Sequence, residues 1–200
     1  MNPAETNCGD QSIFQAILAR HSVRSYAPRP VSESEIRTLL EAAVRAPTAL
    51  HQEPWAFVVI QDPLWLKRLS DVARPLFLDR LLHQTGPGNA RTVKTFADPQ
   101  FNIFHDAGTL IVICAKPELP FSDADCWLAA ENLMLAACGL GLGSCVIGSA
   151  QAALNTPAIK TELGIPPEFK AFAPIAVGYP SGKIPATSRK APQVLAWKQP

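Results

Sequence analysis

The sequence predicts one mixed α and β domain spanning residues 1–200, with helices packed on a central sheet. Apolar residues recur at helical spacing on both sides of residues 20–26 and again along 122–140. Four short β-rich runs, WAFVVI, TLIVIC, CVIG and AFAPIAVG, lie between helical segments. The chain has 200 residues, 48% of them hydrophobic, which suffices for one substantial core. Strands alternating with helices would by themselves suggest a parallel sheet.

Each element has a local cause. SIFQAILAR places Ile13, Phe14, Ile17 and Leu18 at helical spacing, and Ser32 with Glu35 makes a capping-box pattern ahead of Ile36, Leu39, Leu40, Ala43 and Val44. Two amphipathic helices therefore flank the basic stretch RHSVRSY at 20–26. WAFVVI (55–60) reads as a strand, and Asp62-Pro63 after it suits the start of a helix. From Arg74 to Phe104 the periodicity weakens around TGPGN (85–89), which predicts partial helix plus a mobile loop of the kind that often covers a site. TLIVIC (109–114) reads as a strand buried on both faces. Ser122 to Leu140 is apolar nearly all round, which predicts a central buried helix ending among glycines. CVIG (145–148) is a third strand, 150–163 a further helix, and AFAPIAVG (171–178) a last strand that Pro174 pushes towards an edge or a bulge. Residues 1–10 read as a flexible N-terminus, and the proline-bearing stretch 180–200 as an extended tail over the surface or a partner.

Composition narrows the function classes. Eighteen Lys and Arg oppose 17 Asp and Glu, so no global field favours nucleic acid or an anionic membrane, and any basic site must be local. The five cysteines (Cys8, Cys114, Cys126, Cys138, Cys145) are odd in number and form no CxxC pair, which points to reduced thiols rather than disulfides or zinc. MNPAETNCGD lacks the basic start and apolar run of a signal peptide, and no stretch approaches about 20 uninterrupted apolar residues. A cytoplasmic protein without membrane contact is expected.

Few motifs carry chemistry of their own. GLGLGS (139–144) follows a helix, whereas a dinucleotide-binding loop follows a strand, so helix termination accounts for it better. His21, His51, His83 and His105 show no metal-binding spacing, and only His105 adjoins a carboxylate. No serine or cysteine sits in a nucleophile signature, so any chemistry is expected from a cofactor. In an extended segment Arg20, Ser22 and Arg24 would point the same way, and two guanidiniums with a hydroxyl suit a phosphate. A solvated basic helix end accounts for the spacing equally well. APTALHQEPWAF (46–57) is either an ordinary loop anchored by Trp55 or a binding loop on a rigid scaffold.

Taken in order, RHSVRSY, APTALHQEPWAFVV, AAENLMLAACGLGLGS and a late Pro185, Arg189, Lys190 before Trp197 resemble the nitroreductase family of FMN-dependent oxidoreductases. The resemblance spans residues 12 to 197. It implies an α+β fold, an α/β/α sandwich with a mainly antiparallel central sheet, in a homodimer that holds each FMN between two subunits. It implies Arg20 and Ser22 at the ribityl phosphate, Arg24 near the pyrimidine edge, and His21 contributing mainly backbone. Arg189 and Lys190 resemble the basic pair that closes on the same phosphate.

Pro47, Thr48 and Ala49 match the loop that reaches the flavin from the other subunit. There the family pattern Asn-x-Gln-Pro-Trp becomes His51, Gln52, Glu53, Pro54, Trp55, which puts the side-chain contacts of that loop, His51 included, in question. Ile147 and Gly148 match the segment along the isoalloxazine that offers a backbone N–H towards N5. The implied reaction passes hydride from NAD(P)H through flavin N5 to a nitroaromatic, quinone or similar planar acceptor by a ping-pong mechanism, with no catalytic side chain. Segment 74–104 would set the acceptor. A specialised flavin oxidoreductase acting on a biosynthetic intermediate, and a flavin-binding protein without turnover, are the alternatives.

Overall fold

The computed structural model of the chain describes residues 12–83, 90–182 and 189–199. The expected flexible N-terminus at 1–10, TGPGN (85–89) and Pro185 lie outside them. Four strands, β1 (Ala56–Ile60), β2 (Thr109–Ala115), β3 (Gly143–Val146) and β4 (Lys170–Gly178), form one sheet in the order β1-β2-β4-β3. Every neighbouring pair is antiparallel. The parallel sheet suggested by the alternation is therefore wrong, and the α+β fold implied by the resemblance is the fold observed.

The connections explain the discrepancy. Two helices, α3 (Pro63–His83) and α4 (Ala90–Ala97), separate β1 from β2, so the chain re-enters the sheet from the end it left. A single helix, α5 (Ser122–Gly139), links β2 to β3, and those two strands do run parallel. β4 then inserts between them and makes every contact antiparallel.

Strand alternation divides the core into two layers. Leu110, Val112 and Cys114 of β2 face one way, onto Leu66, Leu69 and Ala73 of α3. Ile111, Ile113 and Ala115 face the other, onto Cys126, Ala129, Ala130 and Leu133 of α5 and onto Ile36 and Leu39 of α2 (Glu33–Ala43). The capping box expected at Ser32 and Glu35 opens α2. In α1 (Ile13–Ala19), however, only Ala16 is buried, and Ile13, Phe14, Ile17 and Leu18 are exposed.

Other boundaries differ from expectation. Arg74 to His83 continues α3 despite Pro75, whose ring removes one backbone bond from a helix long enough to tolerate the loss. Segment 150–163 is broken into α6 (Gln151–Leu154) and α7 (Pro157–Leu163), because Thr156 caps the second helix and Pro157 occupies its first turn. The third strand begins at Gly143, two residues before CVIG, and leaves Ile147 and Gly148 outside it.

Pro174 sits in a central strand, not at an edge. Its carbonyl faces β3 and accepts from the Ile147 N–H at 2.8 Å, so its missing donor falls where β3 has already ended. The bulge lies beside it at Phe172: Ile113 pairs with Ala173 and Cys114 with Ala171, and Phe172 and Ala173 consequently share one face. Among the described residues no helix is long and apolar enough to cross a membrane.

Candidate functional site

RHSVRSY leaves α1 at Arg20, whose backbone is extended, and runs along the edge of β3. Ser22 bridges Ser144, the Val23 N–H donates to the Ser144 carbonyl at 3.0 Å, and the Ala27 N–H donates to the Tyr179 carbonyl at 2.8 Å. Val23 and Tyr26 point inward while Ser22 and Arg24 are exposed. Two glycines permit this approach: a Cβ on Gly143 would lie 2.7 Å from Val23 Cγ2, and one on Gly178 would lie 2.9 Å from Tyr26 Cδ1. The Tyr26 hydroxyl donates to the Val23 carbonyl at 2.8 Å, and burial raises its pKa well above the usual phenol value.

The segment separates two hollows. The smaller, of about 160 Å³, is lined by Arg20, His21, Cys138 and residues 141–144. Arg20 Nε lies 3.3 Å from Glu131 Oε1. The His21 Nδ1–H donates to the Ala19 carbonyl at 2.8 Å, which leaves Nε2 buried and without a partner among the described residues. The larger cavity, of about 950 Å³, has Arg24, Ser25 and Tyr26 on one wall, Arg91, Lys94 and Thr95 of α4 on another, and Asp98 to Asp106 below.

The floor of the larger cavity is strained. His105 and Asp106 adopt φ of 55° and 61°, a left-handed conformation uncommon outside glycine. Asn102 holds them there: its Oδ1 accepts from the Phe104 N–H, its carbonyl accepts from the His105 N–H, and its Nδ2 donates to Asp106 Oδ1 at 2.9 Å. Phe104 is fully buried beneath the turn, and the His105 ring stands edge-on to Phe101 at 5.7 Å.

Burial, and secondarily the charge of Arg24, lower the His105 pKa, with Asp106 opposing. The unfolded chain therefore protonates first, so the stability owed to neutral His105 is complete above the usual value of 6.5 and is lost as pH falls through the lower folded value. Unfolding midpoints measured down through this range are expected to fall, and His105→Gln to flatten that part of the profile.

The remaining sequence-derived candidates lie elsewhere. Pro47, Thr48, Ala49 and His51 occupy the connection from α2 to β1 and line neither hollow. Leu50, His51 and Glu53 all have positive φ, and the Ala49 N–H donates to Oδ1 of buried Asp125 at 3.1 Å, whose Oδ2 has no partner among the described residues. Ile147 is buried with its N–H committed to Pro174, whereas exposed Gly148 opens a 3-10 turn whose first N–H groups have no partner within the turn. Arg189 and Lys190 are exposed in a tail without regular structure. Arg91, Lys94 and Asn102 fall within segment 74–104, which the sequence reading expects to set the acceptor without singling out these residues, whereas His105 and Asp106 lie just beyond it. For those two, the adjacency of His105 to a carboxylate is the signal the sequence offers.

Known proteins are similar to this chain in sequence and in fold. A protein of Archaeoglobus fulgidus named for an inferred NADH dehydrogenase/NAD(P)H nitroreductase activity is 30% identical over 175 residues, covering 85% of this chain and 86% of its own. A protein of the same description from Methanothermobacter thermautotrophicus is 28% identical over 84% of this chain and 78% of its own. The crystal structure of a nitroreductase with bound FMN from Bacteroides fragilis superposes with a TM-score of 0.80 at 25% identity, covering 94% of this chain and 100% of that one. The model of the nitroreductase family matches residues 17–179, from the end of α1 through the whole sheet, and the chain belongs to that family.

Proposed function

We propose that this chain is an FMN-dependent oxidoreductase that takes electrons from NAD(P)H and passes them to a nitroaromatic, a quinone or a similar planar acceptor. One observation carries the reading: the docked segment 20–26 presents Arg20 and His21 to the small hollow and Arg24 to the large cavity beside it. Family membership and the FMN-bound relative support the cofactor.

The residues present suit such a group. The Ser22 side chain and an Arg20 whose ion-pair partner is a half-exposed Glu131 would hold a phosphate, with Arg189 and Lys190 closing from the tail, while His21, its Nδ1–H already given to the Ala19 carbonyl, would contribute mainly backbone. Arg24 would supply positive charge at the pyrimidine edge, and the Gly148 N–H would orient the ring. Bound FMN would contribute reversible hydride chemistry that no side chain of this chain offers. Pro47, Thr48, Ala49 and His51 line neither hollow, and Ile13, Phe14, Ile17 and Leu18 of α1 are exposed, as are Trp127 and Leu128 of α5, the helix that α1 contacts. Both facts support a homodimer in which this loop serves the partner's flavin.

A visible spectrum of the purified protein, repeated without oxygen after NADH and then NADPH, tests the reading. A yellow protein that bleaches with either donor is expected. A colourless protein that FMN cannot reconstitute would overturn it, and a yellow one that never bleaches would favour flavin binding without turnover, to which the exposed Glu53 carboxylate lends weight. Arg20→Ala is expected to weaken FMN binding roughly 10- to 100-fold by titration, the loss of about one charge-assisted contact.

A further inference from the structure

We propose that the molecule taken up in the larger cavity carries an anionic group, a carboxylate or a phosphate, and that Arg91 and Lys94 of α4 recognise it. The proposal rests on the flavin reading of the site and goes on to name the charge class of its substrate.

α4 is amphipathic, and its two sides face different neighbours. Phe96 turns towards α3, where its ring lies 4.7 Å from that of Phe77. Arg91 and Lys94, three residues apart, share the opposite stripe, and both are exposed and line the cavity. Neither side chain makes an ion pair or hydrogen bond with another described residue. On the outer side of α3, in contrast, cations are matched by carboxylates: Lys67 with Asp71 at 2.8 Å, Arg74 with Asp71 at 3.7 Å, and Arg68 with Glu162.

The two carboxylates of the cavity make no ion pair with Arg91 or Lys94 among the described residues, and they stand against three cations in the lining. Asp98 Oδ1 accepts from the Gln100 N–H at 2.9 Å, and Asp106 Oδ1 accepts from Asn102 Nδ2 at 2.9 Å, so each is used to shape the loop it sits on. Arg24, also in the lining, adds a third cation without a salt bridge among the described residues. About 950 Å³ lies at the upper end of the range for small-molecule sites, roughly 300–1,000 Å³, which leaves room for a second ring system beside a cofactor. A neutral ring gains nothing from two solvated cations. An anionic one gains a charge-assisted contact and electrostatic steering into the cavity.

Two sources could bring that anion: a phosphate of the donor, either the pyrophosphate that NADH and NADPH share or the additional phosphate of NADPH, or an acidic substituent on the acceptor. Both are tested on the flavin-loaded protein. The kcat/KM ratio of NADPH to NADH is measured with menadione as acceptor, and the ratio of 4-nitrobenzoate to 4-nitrobenzyl alcohol with saturating NADH. Dissociation constants of NADP⁺ and 4-nitrobenzoate are measured by calorimetry on the oxidised protein. In Arg91→Gln/Lys94→Gln the dissociation constant of at least one anionic ligand is expected to rise about tenfold, with a matching fall in the corresponding ratio unless the group recognised is the pyrophosphate that both donors share. Added salt should compress the same ratio in the unaltered protein, and Arg91→Glu/Lys94→Glu should invert it.

A fall in the first ratio, or a rise in the NADP⁺ dissociation constant with both ratios unchanged, assigns the anion to the donor, and a fall in the second ratio assigns it to the acceptor. If neither ratio nor either dissociation constant moves, the proposal is wrong and the flavin reading survives. An unaltered protein that holds no flavin would instead overturn the flavin reading, and the proposal with it.

Discussion

Replacing Gly143 with alanine is expected to strip most of the bound flavin from the protein and to lower its stability by about 1–3 kcal/mol, the usual cost of overpacking a tight contact. The added methyl would sit 2.7, 2.8 and 2.9 Å from Val23 Cγ2, Cβ and Cγ1. Val23 cannot turn away, because it is β-branched and buried. The backbone of residues 22–24 must lift instead, which breaks the Val23 N–H bond to the Ser144 carbonyl and the Ser22–Ser144 bridge. Arg20, Ser22 and Arg24 ride on that backbone, so their alignment is lost together. Flavin absorbance per protein and the urea midpoint check this, with Gly108→Ala, where a Cβ meets nothing within 4 Å, as the control. A Gly143→Ala protein that keeps both its colour and its midpoint would show that the close approach to β3 does not hold the segment.

The largest loss of stability, about 3–5 kcal/mol, is expected for Phe104→Ala. Phe104 is fully buried and belongs to the same apolar cluster as Val23, Tyr26, Leu69 and Ile147. Its removal leaves a cavity directly under the strained turn at His105 and Asp106. Those residues keep their left-handed backbone only while the surroundings enforce it. Without the buried ring the turn should relax, and the wall facing Arg24 should loosen with it. Denaturant unfolding measures the first effect. The second would appear as an increased dissociation constant for whatever the larger cavity binds. Phe104→Leu, which refills most of the volume, is expected to cost under about 1.5 kcal/mol. Equal losses in the two variants would mean that packing under the turn is not what Phe104 contributes.

Local signals in the sequence were legible wherever one chemical cause decided the outcome. TLIVIC became a strand buried on both faces because each side of it meets a helix layer, and Ser32 with Glu35 capped α2 because that bond needs only four residues. The basic residues of RHSVRSY announced themselves because the rest of the chain is balanced in charge. Strand order was not legible. Nothing in AFAPIAVG says that it will insert between β2 and β3, and that long-range choice is what keeps those two parallel strands from pairing with each other. The floor of the larger cavity was hidden for a different reason. A positive φ is usually signalled by glycine, yet here it falls on His105 and Asp106, held by a network that Asn102 completes only after folding. Nor could the spacing of Ile13, Phe14, Ile17 and Leu18 tell an inward stripe from an outward one.

The insertion of β4 between β2 and β3 also sets an order of events during synthesis on the ribosome. A polypeptide halted before Lys170 already holds Arg20 to Arg24, α5 and β3, but β3 then has no neighbour within the sheet. The segment bearing those basic residues is fastened to β3 at Ser144 and to the far end of the last strand at Tyr179 and Ser181. Both anchors depend on residues translated after β3, so a chain halted before Lys170 is expected to leave the basic segment unfastened. If that segment holds the cofactor as proposed, flavin capture is expected to require β4, and a chain truncated before it to carry the basic motif without binding flavin.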